Sequence, residues 1–253
     1  MIKRLTMALA AMLTLAAAPV AATDLTNMSE VETDAFGAAV RAYLLENPEV
    51  LMEVIAVLEQ RQAEAEAMTD QTLILTNYED LVNDGYSAVL GNPDGDITIV
   101  EFLDYKCGFC KRAFPEVKEL LASDGNIRLI IKEFPILGDE SLLGSRFAIA
   151  TQMVEGDEAY GRLHDELMTM RANISEESLL AVAERLEIDG PAILARMEDP
   201  VINQIISNNH LLAQRMQISG TPSFVIGNQM LRGYVPLEGM QQVVAAERAP
   251  SDG

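Results

Sequence analysis

The sequence predicts an α/β fold with a helical segment in front of it, and three observations carry this. A β-branched apolar run, Ile97 to Leu103, is followed at once by Cys107-Gly108-Phe109-Cys110 and a stretch of helical spacing. A second such run, Ile127 to Phe134, comes after that helix, which makes a βαβ unit and hence a parallel pair. Far downstream, after a long helical region, come a short strand, a hairpin partner and a closing helix.

The chain has 253 residues, enough for one large domain or a domain with a smaller companion. Met1 to Ala22 have the pattern of a secretory signal: basic Lys3 and Arg4, an apolar core from Met7 to Ala18, and Val20-Ala21-Ala22 as a small-residue cleavage site. The apolar run is short for a bilayer span. The expectation is an exported, periplasmic, soluble protein cleaved near Ala22, with an uncleaved membrane anchor as the alternative. Formal net charge is −21, and loss of Lys3 and Arg4 with the signal takes it to −23. That balance argues against nucleic acid or anionic membrane surfaces as partners.

Asp34 to Glu46 predicts a first helix, with Phe36, Val40, Tyr43 and Leu44 on one face, ended by Asn47-Pro48. A second helix starts at Pro48 and carries Leu51, Val54, Ile55 and Leu58. From Glu59 to Gln71 the apolar positions give way to a solvated connector, and Leu75, Tyr78 and Val82 resume the stripe. The heptad fails in the middle, so a continuous coiled coil is excluded. The front helices have too little apolar surface for a core of their own. They must pack on their own body or on another copy, and a homo-oligomer, dimer or trimer, is expected. The dense turn signal Gly91-Asn92-Pro93-Asp94-Gly95-Asp96 predicts the division: a helical association segment over 23–90 and a second domain over 91–253.

In that second domain the two thiols sit where a strand hands over to a helix. There the first N–H groups lack partners and the macrodipole is positive, which stabilises a thiolate. Cys107 reads as the N-cap and nucleophile, and Cys110, about one turn inside, as the resolving thiol. Pro115 is read as falling in the first turns, where proline is tolerated. These are the only cysteines, so a four-thiolate zinc site is excluded. His164 and His210 lie far off in helical stretches and read as packed or surface residues. A structural disulfide closing so short a loop would remove little chain entropy, so a redox-active pair fits better.

The block after the second strand predicts helices around Leu142 to Val154, Tyr160 to Met168, and from Ser175 as an N-cap, with shorter ones starting at Gly190-Pro191 and Pro200. Phe224 to Ile226 reads as a strand, Met230 to Tyr234 as its partner, and Leu237 to Ala246 as the closing helix. Thr221-Pro222, where that strand begins, is a place for a cis peptide.

The CGFC turn after a strand, the Thr-Pro before a later strand and the helical block between them, about 138–217, resemble a thioredoxin fold with a helical insertion. That is the arrangement of the DsbA-like family of exported thiol–disulfide oxidoreductases, and the resemblance runs from Thr98 to Ala246. Within it, Val100 to Lys111 and Tyr43-Leu44-Leu45-Glu46-Asn47-Pro48-Glu49 are similar to the suppressor-of-copper-sensitivity C branch. The resemblance implies roles by position. Cys107 would attack and Cys110 resolve, with Gly108 and Phe109 between them as the rest of the motif. Thr221 and Pro222 would form the cis-proline loop that pairs with the substrate backbone. Glu101 would be a buried acid that takes the proton of the resolving thiol.

The resemblance further implies exported protein clients, a membrane redox partner, self-association through the N-terminal element and no cofactor. The DsbA oxidases carry a histidine where this chain has Phe109, so a less depressed Cys107 pKa and a less oxidising disulfide are expected here. Lys106, Lys111 and Arg112 are expected in solvent. This chemistry and the association element favour isomerase or reductase over a plain oxidase. The alternative is a copper-handling protein holding Cu(I) on Cys107 and Cys110, since two thiolates suit that ion, although the 13 methionines are scattered.

Overall fold

The computed structural model describes residues 27–249. The signal segment read at Met1 to Ala22 lies outside them. The chain divides into two compact units, one through Glu59 and one from Gln60 onward. No described helix is long and apolar enough to cross a membrane.

The first unit holds α1 (Glu30–Glu46) and the first turns of α2 (Glu49–Thr76). Helix α1 begins four residues before the expected Asp34 because Ser29 and Glu32 form a capping box. Glu32 N–H donates to Ser29 Oγ at 3.4 Å, and Ser29 N–H donates to Glu32 Oε2 at 2.8 Å. At the other end both the backbone and side-chain N–H of Asn47 donate to Tyr43 C=O, which closes the helix before Pro48. No residue of α1 is buried.

The second unit is built on a five-stranded sheet of order β1-β3-β2-β4-β5. Its strands are β1 (Ala88–Gly91), β2 (Ile97–Leu103), β3 (Ile127–Glu133), β4 (Ser223–Ile226) and β5 (Gln229–Arg232). β2 and β3 run parallel, with Glu101 opposite Ile131 and Leu103 opposite Glu133. Every other pairing is antiparallel. The expected α/β class with a helical insertion holds. Helix α4 (Gly108–Asp124) makes the βαβ crossover, and α5 (Asp139–Glu155), α6 (Asp157–Thr169), α7 (Glu176–Arg185), α8 (Gly190–Arg196) and α9 (Pro200–Arg215) make the insertion. Helix α10 (Leu237–Arg248) closes the fold.

Alternation along the strands sorts side chains into two cores. Ile99, Leu103, Leu129, Ile131 and Phe224 face the dithiol helix and the insertion. Val100, Phe102, Ile130 and Val225 face the end of α2, the short helix α3 (Tyr78–Val82) and α9. On this second face four basic side chains hold residues 70–84. Arg232 grips Asp70 with two bonds of 2.7 Å, and Arg215 Nε donates to Asn77 Oδ1 at 2.7 Å. Lys132, fully buried, pairs with Asp84 at 2.5 Å, and Arg128 donates to Val82 C=O at 3.0 Å.

Several expectations need correction. The stripe read at Leu75, Tyr78 and Val82 is instead Ile74, Leu81 and Val82, while Leu75 and Tyr78 are 62% and 50% exposed. The helix breaks at Asn77 and restarts, so the phase of the stripe changes there. The connector from Glu59 to Gln71 is helical and solvated except at one position, Asp70, which is buried on Arg232. The division falls at Glu59 rather than at Gly91, because residues 70–90 pack on the sheet and include strand β1. The Gly91 turn ends that strand: its φ is +71°, and a Cβ would lie 2.6 Å from Ile127 C=O. Pro115 lies in the interior of α4 rather than its first turns and leaves Lys111 C=O without its helical donor.

Candidate active site

Three pieces of backbone converge on the dithiol. β2 ends at Leu103, and the turn Asp104-Tyr105-Lys106 delivers Cys107 as the N-cap of α4. Cys107 N–H donates to Asp104 C=O at 3.0 Å, and Cys107 C=O accepts the first helical bond from Lys111 at 3.1 Å. The third piece is the loop before β4, where the Thr221–Pro222 peptide is cis. Cys107 Sγ–H donates to Thr221 C=O at 3.2 Å, so residues 114 positions apart meet there. Gly108 and Phe109 form the outer surface of the turn, with Phe109 60% exposed. Cys107 is only slightly exposed and Cys110 not at all.

The two thiols are held at opposite ends of the acidity scale. A hydrogen bond from Cys110 is the largest influence on the Cys107 thiol and takes it down to about 5 against the effect of burial. Thr221 and the N–H groups of Cys110 and Phe109 add to the lowering. Cys110 is pushed far up by the bond it gives to Cys107, then by burial and by the charge of Glu101. One sulfur is therefore poised as a thiolate at neutral pH while the other keeps its proton, the division of labour an attacking and a resolving thiol need.

Glu101 sits on β2, on the face that α4 covers, and is buried, not on a solvated strand face. Burial, with the nearby Glu133 charge added, lifts its carboxyl to about 8. A carboxyl so placed can exchange a proton near neutrality. His164 is buried among Tyr105, Phe114 and Tyr160, and burial takes it down to about 4. His210 tilts against Phe134 at 4.8 Å. Both histidines are packing residues. Among the described residues no cluster of three or more His, Cys, Asp or Glu side chains is placed to hold a metal ion.

Of the basic residues around the motif, Lys106 and Lys111 are half-buried and engaged, while Arg112 is exposed, as expected, and rests on a ring. Lys106 pairs with Glu140 at 2.7 Å, Lys111 donates to Met170 C=O, and the Arg112 guanidinium lies 4.2 Å from the Tyr234 ring centre. Sequence reasoning also missed Asp104, which is fully buried. Its Oδ1 accepts from Lys106 N–H at 2.7 Å, and its Oδ2 accepts from Ile136 and Leu137 N–H at 2.8 and 3.0 Å. Those bonds fix the loop after β3 beside the dithiol turn and leave Ile136 and Leu137 exposed as apolar side chains. The one available signal was an aspartate at the strand-to-helix turn, a residue type that organises local backbone N–H groups.

Residues 98–245 match the model of the DSBA-like thioredoxin domain. The chain belongs to that family. Residues 32–65 match a second model, the copper resistance protein ScsC N-terminal domain. Among solved structures, a thioredoxin-like oxidoreductase from Silicibacter pomeroyi is 38% identical, with a TM-score of 0.63, and the match covers 67% of this chain and 96% of that one. Proteus mirabilis ScsC in a compact conformation is 25% identical over 87% of this chain and all of the other, with a TM-score of 0.63. Of curated relatives, the Na(+)/H(+) antiporter NhaA 1 of Salinispora arenicola is 28% identical over 62% of this chain. The match spans only 24% of that protein's length. The chain thus corresponds to about a quarter of the antiporters that head its curated relatives.

Proposed function

We propose that this protein is a periplasmic thiol–disulfide oxidoreductase that works on exported proteins through Cys107 and Cys110. One observation carries the reading: a cysteine with an acidic thiol caps a helix and faces the carbonyl of a cis-proline loop at 3.2 Å. Cys107 thiolate attacks one sulfur of a client disulfide, a mixed disulfide forms, and the other client sulfur leaves as a thiolate. Cys110 then passes its proton to the Glu101 carboxylate and attacks Cys107. The Cys107–Cys110 bond forms and the second client sulfur leaves, so the client is reduced and the pair oxidised. A membrane redox partner would return the electrons. In isomerisation a client thiol resolves the mixed disulfide instead, and the pair stays reduced.

Isomerase or reductase activity is favoured over plain oxidation. Phe109 offers the Cys107 thiolate no side-chain hydrogen bond or charge, and the exposed apolar faces of α1 and α2 suit assembly into a multi-copy cleft. The match to an ScsC N-terminal domain supports association through that segment. The Met1 to Ala22 pattern supports export.

The test is insulin reduction and refolding of a scrambled substrate. Cys107→Ser should bring both to background, and turnover that survives the substitution would overthrow the reading. A Cu(I)-holding role draws on the same two sulfurs. Tight Cu(I) binding by a protein inert in both assays is the result that would favour it.

A further inference from the structure

Two buried carboxyls lie under the dithiol, and the reading above uses one. Glu133 ends β3. The register sets Glu101 opposite Ile131 and Leu103 opposite Glu133, so both acids project to the same face as diagonal neighbours. Glu133 is held by three hydroxyls from three elements. Its Oε1 accepts from Tyr105 at 2.8 Å and Tyr160 at 2.6 Å, and its Oε2 accepts from Ser145 at 2.6 Å. Tyr105 comes from the dithiol turn, Ser145 from α5 and Tyr160 from α6. All are buried, and Asn209 of α9 anchors the same residue by donating to Glu133 C=O at 3.0 Å. A carboxyl that accepts from three donors is organised for its ionised form.

We propose that Glu133 is a positioning residue for the dithiol, a hydroxyl-caged acid that sets the charge Glu101 meets beneath Cys110. The proposal rests on the exchange reading given above. It assigns the helical insertion a part in the chemistry, since two of the three donors belong to it. The groups around the pair are few. Glu133 faces Tyr105, Tyr160, Ser145 and Asp104, and Glu101 faces Glu133 and Cys110. His164 Nδ1 lies 3.3 Å from Tyr105 Oη, and with its pKa taken down to about 4 its ring is neutral at working pH. Lys132, on the opposite face, is committed to Asp84. With the buried cation Lys132 turned to the opposite face, the two acids compete for protons: burial lifts both, to about 8 and about 7.

The full-length reduced protein with carbon-13 in its glutamate carboxyls reads this directly. Glu133→Gln keeps the shape and removes the charge, and the Glu101 midpoint should fall by about one pH unit. A folded variant with an unmoved Glu101 midpoint overturns the proposal. Should the variant not fold, the wild-type titration decides. Two-step curves at both Glu101 and Glu133 support the proposal, and two independent single steps overturn it. A kinetic readout separates positioning from mere support. Cys110 displaces glutathione from a Cys107–glutathione mixed disulfide, forming Cys107–Cys110 and releasing the glutathione thiolate. The pH inflection of that rate should shift in Glu133→Gln and should not shift when the same change is made in a Glu101→Gln background. The carboxyl titration needs no turnover. A protein inert towards insulin would therefore remove the functional reading and leave this proposal to be judged separately.

Discussion

Leu81 and Leu51 are the same side chain on two helices, and the molecule treats them in opposite ways. Leu81 is fully buried under the sheet, whereas Leu51 is half exposed, as are Phe36, Tyr43, Val54 and Leu58 of the same unit. The difference lies in coverage rather than composition. In the unit from Gln60 onward both faces of the sheet are roofed by helices, so the apolar side chains of the strands and of the helix faces turned to them are buried. In the unit through Glu59 the apolar residues of α1 and of the first turns of α2 stay exposed. Exposed apolar surface of that extent is the mark of an interaction face. The comparison separates a body that holds the dithiol from a segment with exposed apolar surface, for which association with a second copy is proposed.

The strongest way to break that comparison is to cut between its halves. Removing the chain through Glu59 spares Asp70 and its grip on Arg232. The solution mass should fall to that of a single chain while insulin reduction persists and refolding of scrambled substrate is lost. A full-length protein that is already a single chain in solution would undo the association half of the reading.

Acidity sharpens the other half. Cys107 is lowered to about 5 from an ordinary value of 9, so its alkylation rate in the reduced protein should rise with a midpoint near pH 5. The sign for stability follows from a depressed folded pKa. The thiolate's contribution to the reduced fold is complete above the unfolded value and is lost as pH falls from 9 through about 5. Reduced protein should therefore lose stability relative to oxidised protein on acidification through that window. Equal loss in the two forms would deny Cys107 its acidic thiol. A midpoint near 3.5, the strong-oxidant extreme, would contradict the weaker depression expected with Phe109 in the motif.

What could be read beforehand divides along physical lines. The strand, the CGFC turn and the helix after it were legible because neighbours in sequence determine them: β-branched residues, then thiols, then helical spacing. Thr221-Pro222 was legible as a place for a cis peptide from its position before a strand, whereas its role and that of Glu101 came through family likeness, and the structure brings Thr221 to Cys107. The cage around Glu133 was not legible, because Tyr105, Ser145 and Tyr160 come from three elements whose convergence is a tertiary fact. Strand β1 was missed because four residues ending in glycine carry little alternation. The stripe at Leu75 and Tyr78 was misplaced because a single break at Asn77 resets helical phase.

Matched truncations then test the coverage argument. Leu81→Ala deletes a fully buried side chain and should cost about 2–5 kcal/mol in urea unfolding of the body. Leu51→Ala should leave that transition within about 0.5 kcal/mol and weaken association instead. If the two substitutions lowered the urea midpoint alike, Leu51 would have to be buried against the body.

The smallest effect is the most local. Ser29 caps α1 through its reciprocal bonds with Glu32, both in solvent. Ser29→Ala removes the side-chain acceptor for the Glu32 N–H and should cost α1 about 1 kcal/mol. On the association proposed for this segment, that loss should emerge as weaker association, seen as a higher dissociation midpoint on dilution. The urea transition of the body should stay where it was. A body transition that moved by the same amount would mean that α1 folds as part of the dithiol unit, and the separation of the two regions would fail at its most sensitive point.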